Sequence, residues 1–364
     1  MRKPTFWMMA SLILTLSASA QAAPASADGN SDAALDRAIP EMLTSYKVAS
    51  VSFAVIRSGK IVHVAAFGEQ SPGVAATSET LYNIASLTKP LTAEIILRAA
   101  ATGRIALDES MDPYWSDPDL SADARRALLT PRMALSHQTG LPNWRDQRSG
   151  LAFMQDPGTQ WSYSGEGYEY VARYAEHKLH EPFERLAQKL LFGPLKLRST
   201  SYTFQTRFKG RIALPTDQAG NTLGAVQPAQ YNAADLAYST PGEYAVFMLD
   251  VLADRGLTGA IAQQRDRSQV SMAHQLCIGS KAADCPSLAG FGLGWQILGF
   301  DKHMLMMHTG KDDGIFTFAY VDRMTNDGVV IFTNSDNGYK MILPILERVH
   351  TLPAFLRFLR SQID

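Results

Sequence analysis

The sequence is poor in several things that would assign it quickly. It has two cysteines in 364 residues, too few for a disulfide scaffold, so a buried apolar core must hold the fold. It has no excess of charge of either sign, with 34 basic against 35 acidic side chains. That balance lacks the basic footprint of a protein that neutralises many phosphates, which argues against nucleic acid as a partner. Charged residues make up only 19% and apolar ones 46%, opposite to the composition of a disordered chain. After the N-terminus no uninterrupted apolar run is long enough to span a bilayer, and no internal repeat is visible.

What is present begins with a leader. Met1-Arg2-Lys3 is basic, Phe6 to Leu16 is uncharged, and Ser17 to Ala23 is rich in small residues, the layout of a cleavable secretory signal over residues 1–22. Small-x-small sites end at Ala20 and Ala22; an uncleaved anchor is the alternative, but the run is short for it. Cleavage at Ala22 removes Arg2 and Lys3 and no acid, taking the formal charge from −1 to −3. The expectation is a periplasmic or secreted globule with no stable membrane insertion once the signal is removed.

Residues 23–31 read as a flexible lead-in and 32–364 as one domain. Leu35, Ile39 and Leu43 recur at helical spacing. Val51–Ile56 and Ile61–Phe67 flank a Gly-containing turn and form a hairpin. From about 91 to 290 helix-compatible stretches alternate with Pro/Gly loops. Strands return at Phe291–Leu298, His303–His308, Phe316–Asp322 and Val329–Asn334, before a helical tail from Met341 to Leu359 broken at Pro353. Strands at both ends around a helical middle predict an α+β fold: one antiparallel sheet built from N- and C-terminal strands, flanked by helices, with a central helical lobe and a cleft at the seam.

Three short patterns carry chemistry. Ser86-x-x-Lys89 follows the strand-rich segment and opens a stretch of good helix formers. On such a helix Lys89 lies one turn from Ser86 on the same face, where its ammonium reaches the hydroxyl and activates it as a nucleophile. Alone the pattern is weak, since average usage gives roughly one chance match in a chain this long, and a helix cap beside a solvated lysine fits it too. In Trp161-Ser162-Tyr163-Ser164-Gly165, Tyr163 offers a phenol that an adjacent ammonium would let titrate low enough to exchange protons. In His308-Thr309-Gly310-Lys311, a hydrogen-bonding residue, a hydroxyl and a glycine close a predicted strand, and the glycine lets a substrate backbone approach. Taken singly, both also read as ordinary turns.

In this order and spacing the three patterns resemble the Ser-x-x-Lys, Ser/Tyr-x-Asn and Lys-Thr-Gly motifs of the serine β-lactamase and penicillin-binding protein superfamily. The likeness is nearest to the class C β-lactamase-like branch, and Leu135-Ser136-His137-Gln138-Thr139-Gly140-Leu141-Pro142 and Phe291-Gly292-Leu293-Gly294-Trp295 add to it. It runs from about Asp32 to beyond Asn334 and implies a β-lactamase/transpeptidase-like fold. It also implies Ser86 as acylated nucleophile, Lys89 as activator and Tyr163 as general base and acid. His308, Thr309 and Gly310 would flank the substrate, and the N–H groups of Ser86 and Lys311 would form the oxyanion hole.

Two positions depart from that pattern. His308 stands where lysine is usual and is neutral at pH 7 unless a neighbour raises its pKa, and Gly165 stands where Asn is usual. Both weaken recognition of an anionic, amide-bearing β-lactam. The expected substrate is therefore a small ester, or an amide or peptide of D-amino-acid type, with a β-lactamase or DD-carboxypeptidase as the alternative and a non-catalytic sensor or binding module as the rival of another class. No metal or cofactor is expected: His177 and His180 lack a third ligand nearby, and His137 reads as structural. Ser335-Asp336-Asn337 falls too late in the chain to be a motif and reads as a turn, while a Gly-x-Ser-x-Gly elbow is missing at Ser86. Cys277 and Cys285, close together in a Gly/Ser/Ala-rich loop of an exported protein, are expected to pair.

Overall fold

The alternation of apolar residues dictates where the core lies. In a strand Val51, Phe53 and Val55 point to one face and Ala54 and Ile56 to the other, and all five are buried. A strand apolar on both faces belongs at the centre of a covered sheet. In the computed structural model, which describes residues 27–363, that is its place. The strands are β1 (Ser50–Arg57), β2 (Lys60–Ser71), β3 (Val74–Ala75), β4 (Tyr82–Asn83), β5 (Tyr238–Ser239), β6 (Val270–Ser271), β7 (Leu288–Phe291), β8 (Gln296–Phe300), β9 (His303–Asp312), β10 (Ile315–Asp322) and β11 (Asp327–Thr333). Nine form one sheet in the order β3-β2-β1-β11-β10-β9-β8-β7-β6, while β4 and β5 pair separately. The first strand thus lies antiparallel to the last, with Phe53 opposite Ile331 and Ala54 opposite Val330.

The longer helices are α1 (Ala27–Tyr46), α2 (Thr88–Ala101), α3 (Gly165–Leu179), α4 (Pro241–Leu252), α5 (Gly259–Asp266), α6 (Ile342–Arg348) and α7 (Pro353–Ile363). Leu35 and Ile39 of α1, Ile345 of α6 and Phe355 and Phe358 of α7 cover the sheet face bearing Phe53, Val55 and Ile331. The opposite face, with Ala54, Met306, Val330 and Phe332, packs on the helical lobe through α2, α3 and α4. Arg57 on β1 pairs with Asp32 (2.8 Å), fixing α1 across the sheet. Among the described residues no helix is long and apolar enough to cross a membrane.

Three boundaries differ from expectation. The predicted leader lies outside the described residues, but α1 reaches back to Ala27, into the segment read as a flexible lead-in. The lobe begins at Thr88, and the edge strands β6 and β7 start before residue 290. The strand expected over Phe291–Leu298 is two strands, β7 and β8, joined by a hairpin turn. Gly294 has φ +94°, which a side chain rarely adopts, and packs its α-carbon against Ala93 of α2. Its N–H donates to the Leu135 carbonyl (3.0 Å), so contact with the lobe forces the turn.

Candidate active site

Ser86 lies in a single tight turn, Ala85–Leu87, that runs straight into α2. The turn is strained: Ala85 has φ +46°, held by its N–H donating to Asn83 Oδ1 (2.9 Å). Thr317 of β10 donates its hydroxyl to the Ile84 carbonyl (2.8 Å), tying the turn to the sheet. Gly310 of β9 lies against it, and a Cβ there would meet Ile84 O at 2.6 Å and Ser86 N at 3.0 Å. The third motif is therefore pressed onto the nucleophile turn, a closeness only glycine permits.

One turn further on, Lys89 is fully buried, and its Nζ donates to Ser86 Oγ (2.9 Å) and to the Ala234 carbonyl (2.9 Å). Burial lowers its pKa to about 8, against the pull of the Asp235 and Glu169 carboxylates. Tyr163 sits above this ammonium, 4.6 Å from Nζ to the ring centroid. This placement overturns the expected low titration of the phenol. The ammonium meets the ring face, and burial pushes the phenol well above its ordinary value of 10.0, with only part offset by the Ser86 hydroxyl. Tyr163 is thus a protonated phenol at neutral pH.

His308 is neutral. Burial and the nearby Lys89 charge push its pKa down to about 3. Its Nδ1 meets the Thr309 carbonyl at 2.7 Å, and because a carbonyl only accepts, Nδ1 carries the proton. Nε2 is then an acceptor, buried and without a partner among the described residues. Thr309 and Lys311 are exposed at the cleft, whose volume is about 340 Å³ and whose lining includes Ser86, Tyr163 and His308 with an aromatic wall of Trp144, Trp161 and Phe291. His137 is buried behind it, accepting from Ser164 N at Nδ1 (3.0 Å) with its ring 4.4 Å from that of Tyr163, a position that shapes the second motif.

Asp235 and Asn143 are among the cleft residues that escaped the sequence reading. Asp235 Oδ1 accepts the Ser86 hydroxyl at 2.7 Å across 149 positions, so no local pattern could have paired them. Burial raises its carboxyl to about 6, with Lys89 and Ser86 pulling it down and Asp312 pushing it up. Asn143 also lines the cleft and accepts the Gly165 N–H at Oδ1 (3.0 Å). A side chain at Gly165 would collide with the Asn143 carbonyl and the Trp144 ring, both 2.8 Å away. The side-chain amide at this end of the cleft thus comes from Asn143 in the preceding loop and not from the second motif.

Cys277 and Cys285 are joined, with Cα atoms 5.4 Å apart, in the loop before β7 and away from the cleft lining. Ser335-Asp336-Asn337 is a turn in which Ser335 Oγ accepts from Asn337 N (3.2 Å). Among the described residues no group of three or more His, Cys, Asp or Glu is placed to hold a metal ion, and His177 stacks on Trp115 instead.

Comparisons with known proteins point to one family and one fold. The Beta-lactamase family model matches residues 35–347. "Protein flp" of Staphylococcus aureus (strain COL) is 23% identical over 337 residues, covering 87% of this chain, which spans 65% of that relative's length. The D-alanyl-D-alanine-carboxypeptidase/endopeptidase AmpH of Escherichia coli (strain K12) is 24% identical over 299 residues, 74% of this chain and 75% of that protein. Among solved structures, a class C beta-lactamase superposes with a TM-score of 0.74 at 14% identity, over 90% of this chain and 98% of the other. The octameric penicillin-binding protein homologue from Pyrococcus abyssi gives 0.73 at 19% identity, over 88% and 78%. At those identities the two structures speak for the fold alone.

Proposed function

The chain belongs to the beta-lactamase family of serine hydrolases, and from that premise we propose that Ser86 is its nucleophile and is acylated by a small ester, or by an amide or peptide of D-amino-acid type. The observation that carries this reading is the Ser86 hydroxyl held 2.9 Å from the buried Lys89 ammonium at the floor of an open, aromatic-walled cleft. Oγ attacks the carbonyl carbon while Lys89 stabilises the negative charge that develops on it. The N–H groups of Ser86 and Lys311 receive the carbonyl oxygen, and Tyr163, a phenol, stands ready to donate a hydrogen bond to the leaving atom as it departs. Water then releases the acid from Ser86. Asn143 presents an amide to the acyl group in place of the one Gly165 lacks.

A neutral His308 supplies no cation at its position in the cleft, although Lys311 lines the rim; on the His308 ground esters and uncharged amides rank above β-lactams and DD-peptides. The leader pattern and the Cys277–Cys285 bridge both favour action outside the cytosol. The departures at Gly165 and His308 motivate a non-catalytic sensor as the second reading; the amide of Asn143 answers the first of them. Turnover of a p-nitrophenyl ester and of a chromogenic cephalosporin, measured side by side, tests the ranking. The ester is expected to be the faster substrate. Faster cephalosporin cleavage reverses the ranking, and a burst of acylation without turnover of either supports the sensor.

A further inference from the structure

We propose that Asp235 is the group that takes the proton from Ser86 during acylation. This rests on the reading of Ser86 as nucleophile. A hydroxyl has one proton, and an ammonium can only donate, so the 2.9 Å contact with Lys89 Nζ uses a lone pair of Oγ. The Ser86 proton is then directed along the 2.7 Å contact to Asp235 Oδ1. Tyr163 also faces the Ser86 hydroxyl, but as a phenol that keeps its own proton at neutral pH it does not serve as the base.

The carboxylate is set there by construction. Asn232 Oδ1 accepts the N–H groups of Ala234 (2.9 Å) and Asp235 (2.7 Å), closing an Asx turn. Glu169 of α3 accepts the Ala233 N–H, and Thr92 of α2 donates to the Ala233 carbonyl (2.6 Å). Thr88 accepts the Ala237 N–H (3.0 Å), and Lys89 itself holds the Ala234 carbonyl (2.9 Å). Two helices thus fix this short loop on both sides of Asp235, while among the described residues its Oδ2 has no hydrogen-bond partner.

The ionisable groups facing Asp235 are Lys89 from α2, Tyr163 from the segment before α3, and Asp312 from β9; Glu169 acts on Lys89 from behind. Lys89 favours the carboxylate, whereas burial and Asp312 hold its pKa near 6, so at neutral pH it is ionised yet basic enough to take a proton. As Oγ bonds to the carbonyl carbon, the O–H bond breaks, its proton passes to Asp235 Oδ1, and the carbonyl π pair moves onto oxygen. When that pair returns, the bond to the leaving group breaks, and the leaving atom departs with the proton held by Asp235.

The test is the rate of the p-nitrophenol burst from p-nitrophenyl acetate between pH 5 and 9, for the wild type and for Asp235→Asn, Asp235→Glu and Ser86→Ala. The wild-type rate is expected to rise through about pH 6 and to fall again above about pH 8, where Lys89 loses its proton. Asp235→Asn, which keeps an oxygen for the hydrogen bond, is expected to lose about 10²–10⁴-fold and the acid limb with it. Asp235→Glu should restore a limb and at least part of the rate. An Asp235→Asn enzyme within threefold of wild type, with its acid limb intact, overturns the proposal. Should circular dichroism show that variant unfolded, the wild-type profile decides, and a burst rate flat from pH 5 to 8 overturns it equally. A surviving burst in Ser86→Ala refutes the nucleophile instead, a distinct outcome.

Discussion

Arg265 is the largest charged side chain that is fully buried, and its replacement by methionine tests how the nucleophile helix is supported. Its guanidinium bonds Glu94 of α2 (2.9 Å), Asp254 (2.5 Å), Asp266 (2.8 Å) and the Val251 carbonyl (3.1 Å). In Arg265→Met, Asp254 and Asp266 keep Arg323, at 2.9 and 3.2 Å, and they are also the more exposed pair. Glu94, 1% exposed, is left with no cation, and an uncompensated buried charge of this kind costs about 3–5 kcal/mol. With an unfolding entropy of about 2 cal/mol/K per residue, this corresponds to a fall in Tm of roughly 4–7 °C. Glu94→Gln added to Arg265→Met removes the unpaired charge and should recover part of the loss, as read by calorimetry. A shift under about 1.5 °C, or one that Glu94→Gln does not reduce, refutes the reasoning.

Glu169 is a half-buried acid beside the site, pushed up to about 7 by burial. Its folded pKa exceeds the unfolded value, so its charge costs stability above pH 7 and nothing below the unfolded pKa. Glu169→Gln, which still accepts the Ala233 N–H, should stabilise the protein by about 2–3 kcal/mol at pH 8.5 and negligibly at pH 4.5, measured by thermal melting; an equal effect at both pH values contradicts this. The Cys277–Cys285 bridge closes a span of 8 residues, for which chain entropy predicts a loss of about 2–3 kcal/mol on Cys277→Ser/Cys285→Ser, with ester hydrolysis unchanged. Thiol titration of the unreduced, denatured protein should find none; two free thiols contradict the bridge.

What the residues disclosed follows the range of the interactions involved. Alternation of apolar side chains in β1 and β11 located a sheet closed by the two ends of the chain, because burial on each face is written every second residue. Ser86 and Lys89 were legible because one helical turn brings them together. The break at Gly292–Trp295 was not, since the left-handed Gly294 is dictated by Ala93 of α2 and not by its neighbours in sequence. Tyr163 and His308 were reached through the resemblance; the ionisation of Tyr163 came out reversed because burial raises the phenol and the Lys89 ammonium meets its ring face instead of its oxygen. Asp235 and Asn143 had no local signal at all. Asn-Ala-Ala-Asp folds into a turn, and that turn is the device that delivers a carboxylate to Ser86.

The central claim is covalent chemistry at Ser86, and intact-mass analysis after treatment with a fluorophosphonate tests it most directly. The wild type should gain one adduct, mapped by peptide sequencing to Ser86, and Ser86→Ala should gain none. An adduct on another residue, or equal labelling of Ser86→Ala, would contradict the account.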